Sequence, residues 1–235
     1  MSSRRTQTPG IGIVQAHFPR CIAVEGPIGV GKTSLARRLA AEYEAEMLLE
    51  APDENPFLAR FYAHPRQGAL SAQLFFLMQR ARQMEILRQG DIFNAVRVAD
   101  FLIEKDRLFA KVTLDSHEFE LYEQIYAHVT INAPTPDLVV YLQAPVDVLL
   151  ERIRKRGRAY EQPIDGAYLE RINGSYANFF YNYTAAPLLI VNAAEIDLVA
   201  SDADFRALLT QIRALPVARR YFNPLPNSLL SAVDA

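Results

Sequence analysis

Residues 26–33 of this chain read Gly-Pro-Ile-Gly-Val-Gly-Lys-Thr and match Gly-x-x-x-x-Gly-Lys-[Ser/Thr] at every defined position. Cys21-Ile-Ala-Val-Glu25, just before them, is a short apolar run that reads as a buried strand. Ser34 to Tyr43, just after them, carries a helical pattern. Strand, glycine loop and helix in that order form a phosphate cradle. The glycines let backbone N–H groups curl around oxygens, and the helix start adds a positive end. Gly26, Pro27, Ile28, Gly29, Val30, Gly31 and Ser34 are thus expected around the phosphates of a nucleoside triphosphate. Lys32 should reach the β- and γ-phosphates, and the Thr33 hydroxyl should join a Mg²⁺ shell. Motors, GTPases, adaptors and small-molecule kinases all share this loop, so the remaining residues must separate them.

Further short apolar runs follow at Met47–Leu49, Ala95–Val98, Asp137–Leu142 and Leu188–Val191. Helical patterns lie between them at Ala69–Leu87, Ser116–Ile131, Pro145–Lys155, Ala167–Tyr183 and Asp202–Leu215. In the first of these, Leu70, Leu74, Leu77, Ala81 and Met84 form one apolar stripe. Strands alternating with helical crossovers predict an α/β fold, a five-stranded parallel sheet flanked by helices in three layers, of the P-loop NTPase type. One domain over residues 20–214 is the economical division. Residues 1–19 read as a flexible tail. Residues 215–235, with Pro216, Pro224 and Pro226, read as an irregular tail on the surface.

Composition removes several function classes. With 50% hydrophobic and 22% charged residues, the chain has the apolar surface that disorder throughout would lack. A net charge of −2 disfavours wholesale wrapping of a nucleic acid polymer. The single cysteine, Cys21, excludes a disulfide framework within the chain and a Cys-based zinc site. No apolar run reaches the roughly 18 residues that a membrane span needs, and the N-terminal residues lack the apolar core of a secretory signal. The expectation is a cytoplasmic protein without a membrane partner. His17, His64, His117 and His128 show no metal-binding spacing.

After the second strand candidate comes Glu50, then Asp53, Asn55-Pro-Phe-Leu58, Phe61-Tyr62-Ala-His-Pro65 and Gln73-Leu-Phe-Phe-Leu-Met-Gln-Arg80. With these motifs in this order the chain resembles the deoxynucleoside kinase family, most closely its bacterial purine-type members. The resemblance covers nearly all of residues 21–215. It implies that Glu50 is the general base on the substrate 5′-hydroxyl, a role that suits a carboxylate beside an alcohol. Ala51 departs from the proline usual after that glutamate. Gln73 and Arg80 lie two helical turns apart and so share a face, offering an amide and directed donors to a base edge. The resemblance assigns them to the nucleobase and Tyr62 to the sugar 3′-hydroxyl. Phe75 and Phe76 read as core residues.

The resemblance also places an acidic residue, usually followed by arginine, at the end of the third strand. Asp100 fits as support for Mg²⁺, but Phe101 stands where the arginine belongs. That leaves one cation to be supplied by Arg97, Arg107 or a lid arginine. Asp106-Arg107 matches a pair that contacts the base, in a register one residue shorter than in some relatives.

The densest basic cluster is Arg152-Ile-Arg-Lys-Arg-Gly-Arg158. Arg152 and Arg156 are four apart and share a helix face, which Gly157 should end. Residues 156–163 would then form a lid that brings Arg152, Arg156 and Arg158 to a transferring phosphoryl group and excludes water. Arg154 and Lys155 read as its solvated face. Arg-x-x-x-Arg-Gly-Arg before Glu161-Gln162 is also the family's lid pattern, which implies that Glu161 accepts from the sugar 3′-hydroxyl. The function implied is ATP- and Mg²⁺-dependent phosphorylation of a deoxynucleoside, purines favoured, by a homodimer. The alternatives are a nucleoside monophosphate kinase of the thymidylate type and a non-catalytic nucleotide-binding adaptor.

Overall fold

The computed structural model describes residues 19–89, 96–130, 134–198, 200–214 and 218–224. All of the N-terminal tail but Pro19, and residues 225–235, lie outside the described residues, as does Ala95 of the third strand candidate. Six strands form the sheet: β1 (Cys21–Glu25), β2 (Glu46–Leu48), β3 (Arg97–Ala99), β4 (Leu138–Gln143), β5 (Leu188–Asn192) and β6 (Arg219–Phe222). Their order is β2-β3-β1-β4-β5-β6, and every pairing is parallel.

Five of these are the strands expected, and β6 is the difference. Its Arg-Arg-Tyr-Phe sequence has no apolar run because it is an edge strand, covered only in part. It joins the sheet through backbone pairing with β5, with Ala218 O accepting from Leu188 N at 2.8 Å. The segment after residue 214 is therefore not wholly irregular, and the fold extends to residue 222.

The central strands read as continuous apolar runs because helices cover both faces. Leu138, Val140 and Leu142 of β4 point into one core with Leu35 and Leu39 of helix α1 (Lys32–Tyr43). Helices α6 (Val146–Arg156) and α8 (Asp202–Arg213) pack on the same side. Val139 and Tyr141 point to the other side, where Ile172, Tyr176 and Phe180 of α7 (Gly166–Tyr181) lie. Short α2 (Leu58–Ala63) and long α3 (Pro65–Gln89) follow β2, with Pro65 opening α3. Helix α5 (Ser116–Val129) starts on an Asp115–Glu118 capping box. Among the described residues no helix is long and apolar enough to cross a membrane.

Two helices were not apparent in the sequence. Helix α2 has only 6 residues, too short for a period to show. Helix α4 (Glu104–Thr113) buries Lys105 and Asp106 alongside Leu108 and Ala110, so charge interrupts its apolar face. The topology brings the C-terminal ends of β1, β2 and β3 together. This is the edge of an open parallel sheet where ligands bind.

Candidate active site

The glycine loop leaves β1 in a backbone form that a side chain could not share. Gly26 has φ 148°, and a Cβ there would stand 2.4 Å from the carbonyl oxygen of Leu142. The loop is pinned from below by buried Glu25. Its carboxylate accepts from Gly26 N at 3.0 Å, from Leu102 N at 2.8 Å and from the Tyr176 hydroxyl at 2.8 Å. Lys32 donates to the carbonyls of Gly26 (2.7 Å) and Pro27 (3.1 Å), so its amine sits inside the loop. Desolvation, helped by the neighbouring Lys105 charge, pushes the Lys32 amine down to about 8.

Glu50 lies just past β2, its side chain 14% exposed. Arg80 Nε donates to it at 2.8 Å, and the Arg80 Nη2 makes a second contact with the same oxygen. Lys105 Nζ reaches both carboxylate oxygens, at 3.0 and 2.8 Å. Burial alone would raise the Glu50 carboxyl, but Arg80, then Lys105 and Lys32, hold it well below the usual carboxylate range. The same Arg80 is hydrogen-bonded through Nη1 to Asp106, whose other oxygen is buried without a partner. Burial outweighs Arg80 there and pushes the Asp106 carboxyl up to about 6.

Asp100, at the end of β3, accepts from the Thr33 hydroxyl at 2.5 Å and from the Glu50 backbone N–H at 2.8 Å. Its carboxyl is raised, chiefly by burial and then by Glu50. Thr33 and Asp100 thus present hard oxygen donors to one point. Among the described residues no group of three or more His, Cys, Asp or Glu is placed to hold a metal ion. Two oxygens suit Mg²⁺, which keeps water and substrate phosphate among its ligands.

Between these groups is a cavity of about 630 Å³. Lys32, Thr33, Glu50, Tyr62, Gln73 and Arg80 line it, together with Arg156, Arg158 and Glu161 from the lid. Asp106 stands behind Arg80, outside the lining. Gln73 Nε2 donates to the Thr113 hydroxyl at 3.2 Å, and that hydroxyl donates to Phe109 O, so the glutamine is held from α4. Phe76 lines the cavity too, 5.2 Å from the Arg80 guanidinium, so it is not a purely core residue. Phe75 packs edge-on against Phe57.

Helix α6 ends at Gly157, whose φ is 72°, and the lid continues as a 3-10 turn over Ala159–Glu161. Arg156 donates to Glu161 at 3.0 and 2.8 Å. Tyr160 stacks on Tyr62 with rings 6.4 Å apart. Arg152 differs from expectation. It lies outside this cavity and donates to the carbonyls of Ala193 (2.8 Å) and Val30 (3.4 Å), because a helix residue one turn before the lid faces the loops beside it. There it lines a neighbouring groove of about 790 Å³ with Gly31 and residues 193–198.

Neither Arg97 nor Arg107 supplies a cation here. Arg97 pairs with Glu46, and Arg107 pairs with Glu123 on the surface. Phe101 is buried in a cluster with Leu48 and Ala99. Lys105 belongs to the site although the sequence did not point to it. Its only signal was a lysine one place before Asp106, on a helix whose apolar period charge had broken. The roles of Glu25, Thr113 and Tyr160 were not legible either, because they pair with Tyr176, Gln73 and Asp53, far away in sequence.

The chain was compared with known proteins. The family model "Deoxynucleoside kinase" matches residues 22–216. The chain is similar to a deoxyguanosine kinase of Bacillus subtilis, with 34% identity over 83% of this chain and 97% of the relative. It is also similar to a deoxyadenosine kinase of Lactobacillus acidophilus, with 30% identity over 81% and 94%. Among solved structures, the deoxyadenosine kinase of M. mycoides with bound dATP covers 82% of this chain and 98% of its own, at 25% identity and a TM-score of 0.70. The same enzyme with products dCMP and dCDP gives a TM-score of 0.72 at 23% identity, over 83% of this chain and 100% of its own. With a matching loop, a matching fold and relatives of nearly equal span, this chain is a kinase that belongs to the deoxynucleoside kinase family.

Proposed function

We propose that the protein transfers the γ-phosphoryl group of ATP to the 5′-hydroxyl of a purine deoxynucleoside, giving the 5′-monophosphate for nucleotide salvage. The observation that carries this is Glu50. A carboxylate held ionised by Arg80 and Lys105 stands in the cavity across from Lys32 of the glycine loop.

The 5′-oxygen attacks the γ-phosphorus, its proton passes to Glu50, and the bond from phosphorus to the bridging oxygen breaks with its electron pair leaving on ADP. Lys32 leaves the Gly26 and Pro27 carbonyls for the phosphates, and Arg156 and Arg158 turn from Glu161 to the same charge. Thr33 and Asp100 are the residues that would hold Mg²⁺, whose chemistry is to neutralise phosphate charge and align the donor. Gln73 and Arg80 read the base, and Asp106, expected beside them, acts on it through Arg80, which it holds from behind. Tyr62 and Glu161 take the 3′-hydroxyl. Arg152 acts in the donor groove, through the loop carbonyls.

A purine preference is favoured by relatives named deoxyguanosine and deoxyadenosine kinase. A homodimer is expected from the family resemblance, and a cytoplasmic setting goes with salvage and with the free thiol of Cys21. A neutral acceptor suits Glu50, Asp53 and Glu54 on the cavity wall better than a monophosphate does. The test is a panel of four deoxynucleosides with γ-labelled ATP and Mg²⁺. Label should appear in the monophosphates of deoxyguanosine and deoxyadenosine, and no transfer to any acceptor by folded protein overturns the proposal. Transfer to thymidylate instead would select the monophosphate kinase reading.

A further inference from the structure

We propose that Lys105 is a further catalytic cation of this reaction, meeting the transferring phosphoryl group from the acceptor side while Lys32 meets it from the donor side. The inference rests on the phosphotransfer reading above and adds a residue to it.

Position is the first argument. Lys105 Nζ lies 3.0 and 2.8 Å from the two oxygens of Glu50 and lines the cavity in which the acceptor must sit. The ammonium is therefore at the reacting end, hydrogen-bonded to the carboxylate that takes the 5′-hydroxyl proton. The Lys32 amine is lowered first by burial and next by the Lys105 charge, and both ammonium groups line the same cavity.

Burial is the second. Arg80 gives two N–H groups to Glu50 Oε1, and Lys105 serves Oε2. The Lys105 side chain is only 7% exposed, and its other carboxylate neighbour, Glu25, is 4.0 Å away. Burying an ammonium is costly unless it is paired, and this one keeps a single close carboxylate partner. An ammonium kept in the cavity is available to an anion that arrives there.

Elimination is the third. Phe101, directly after Asp100, contributes only hydrocarbon to a buried cluster, and Arg97 and Arg107 are paired elsewhere. Of the other cations lining the cavity, Lys32 and Arg37 come from α1, Arg156 and Arg158 from the lid, and Arg80 is shared between Glu50 and Asp106. Lys105 is the cation whose closest partner is the carboxylate that becomes protonated.

The chemistry balances. The 5′-hydroxyl proton goes to Glu50 as the new P–O bond forms and the bond to the leaving diphosphate breaks. Protonation removes the charge that held Lys105 and frees its ammonium for the phosphoryl group, while Glu25, 4.0 Å away, stays occupied by Gly26, Leu102 and Tyr176. Lys105 neither gives nor takes a proton. An interaction gained only along the reaction raises kcat and leaves KM alone.

Steady-state kinetics with ATP and the best deoxynucleoside acceptor test this. Lys105→Ala should lower kcat by about 10²–10³-fold, the usual effect of losing one transition-state donor. Both KM values should stay within about threefold. Ethylammonium in the assay should restore part of the loss, and Lys105→Arg should exceed Lys105→Ala. Lys105→Met, with nearly the original volume, serves if the alanine variant melts early. A kcat near wild type in a Lys105→Ala enzyme overturns the inference. A loss carried wholly in nucleoside KM, or relieved by neither ethylammonium nor arginine, also overturns it. Wild-type protein that phosphorylates no deoxynucleoside removes the underlying reading and Lys105 with it. An active wild type with an active variant removes Lys105 alone.

Discussion

The hydroxyl of Tyr160 donates to Asp53 Oδ1 at 2.7 Å, which joins the lid to the turn that follows Glu50 across the mouth of the cavity. Arg158 adds an ion pair to the same carboxylate at 3.3 Å. Asp53 is 65% exposed, and exposed pairs contribute about 0–1 kcal/mol. The latch is weak enough to release in each turnover and strong enough to bias the lid toward closure. Asp53→Ala should raise the acceptor KM several-fold and increase ATP hydrolysis without acceptor, with kcat reduced less than about tenfold. Phosphate release measured without nucleoside checks this. A leak equal to wild type would show that the latch plays no part.

Glu50→Gln keeps the shape of the side chain and removes its ability to take a proton. The expected loss in kcat is about 10²–10⁴-fold, with KM for ATP nearly unchanged, since ATP is held by the glycine loop on the other side. Single-turnover rates with bound ATP separate the chemical step from binding. Surviving turnover would reassign the base.

Gly26→Ala puts a methyl group 2.4 Å from a backbone oxygen at φ 148°, and neither β1 nor β4 can yield without breaking the pairs between them. Strain of this kind costs about 1–3 kcal/mol, or more with a backbone clash. The melting temperature should fall by at least several degrees and ATP binding should weaken together with it. Calorimetry with and without ATP reads both.

Asp106 gives stability an unusual pH slope. Its folded carboxyl is raised to about 6 from an ordinary 3.8, so the folded protein holds this proton more tightly than the unfolded chain. Its stabilising contribution is full below pH 3.8 and is lost as pH rises through about 6. Glu50 runs the other way. Its lowered carboxyl stabilises above the unfolded value and loses that contribution as acid is added. Denaturant midpoints of Asp106→Asn and wild type should therefore draw closer as pH falls from about 7 to about 5 if the asparagine is the more stable at pH 7. A constant gap between the two curves would show that Asp106 does not titrate there.

The phosphate loop and strands β1 to β5 were legible because each is local. A glycine motif between strand and helix, or a run of β-branched residues between turns, carries its own signal over a few positions. The pairing of Gln73 with Arg80 was legible as well, since two helical turns put them on one face whatever surrounds them. Strand β6 and helices α2 and α4 gave no such signal. An edge strand is half wet, a helix of 6 residues shows no period, and α4 turns charge inward.

By itself the sequence determined that this chain carries a phosphate-loop motif on a parallel α/β sheet, because backbone geometry and apolar period are written in neighbouring residues. Only the tertiary structure decided which charges meet. Lys105 on Glu50, Asp106 behind Arg80, Arg152 on the loop carbonyls and Asp53 under Tyr160 join residues from separate elements. Coulomb energies depend on the distance through space and on how much water remains between the charges, and neither quantity has a counterpart in the order of residues along the chain.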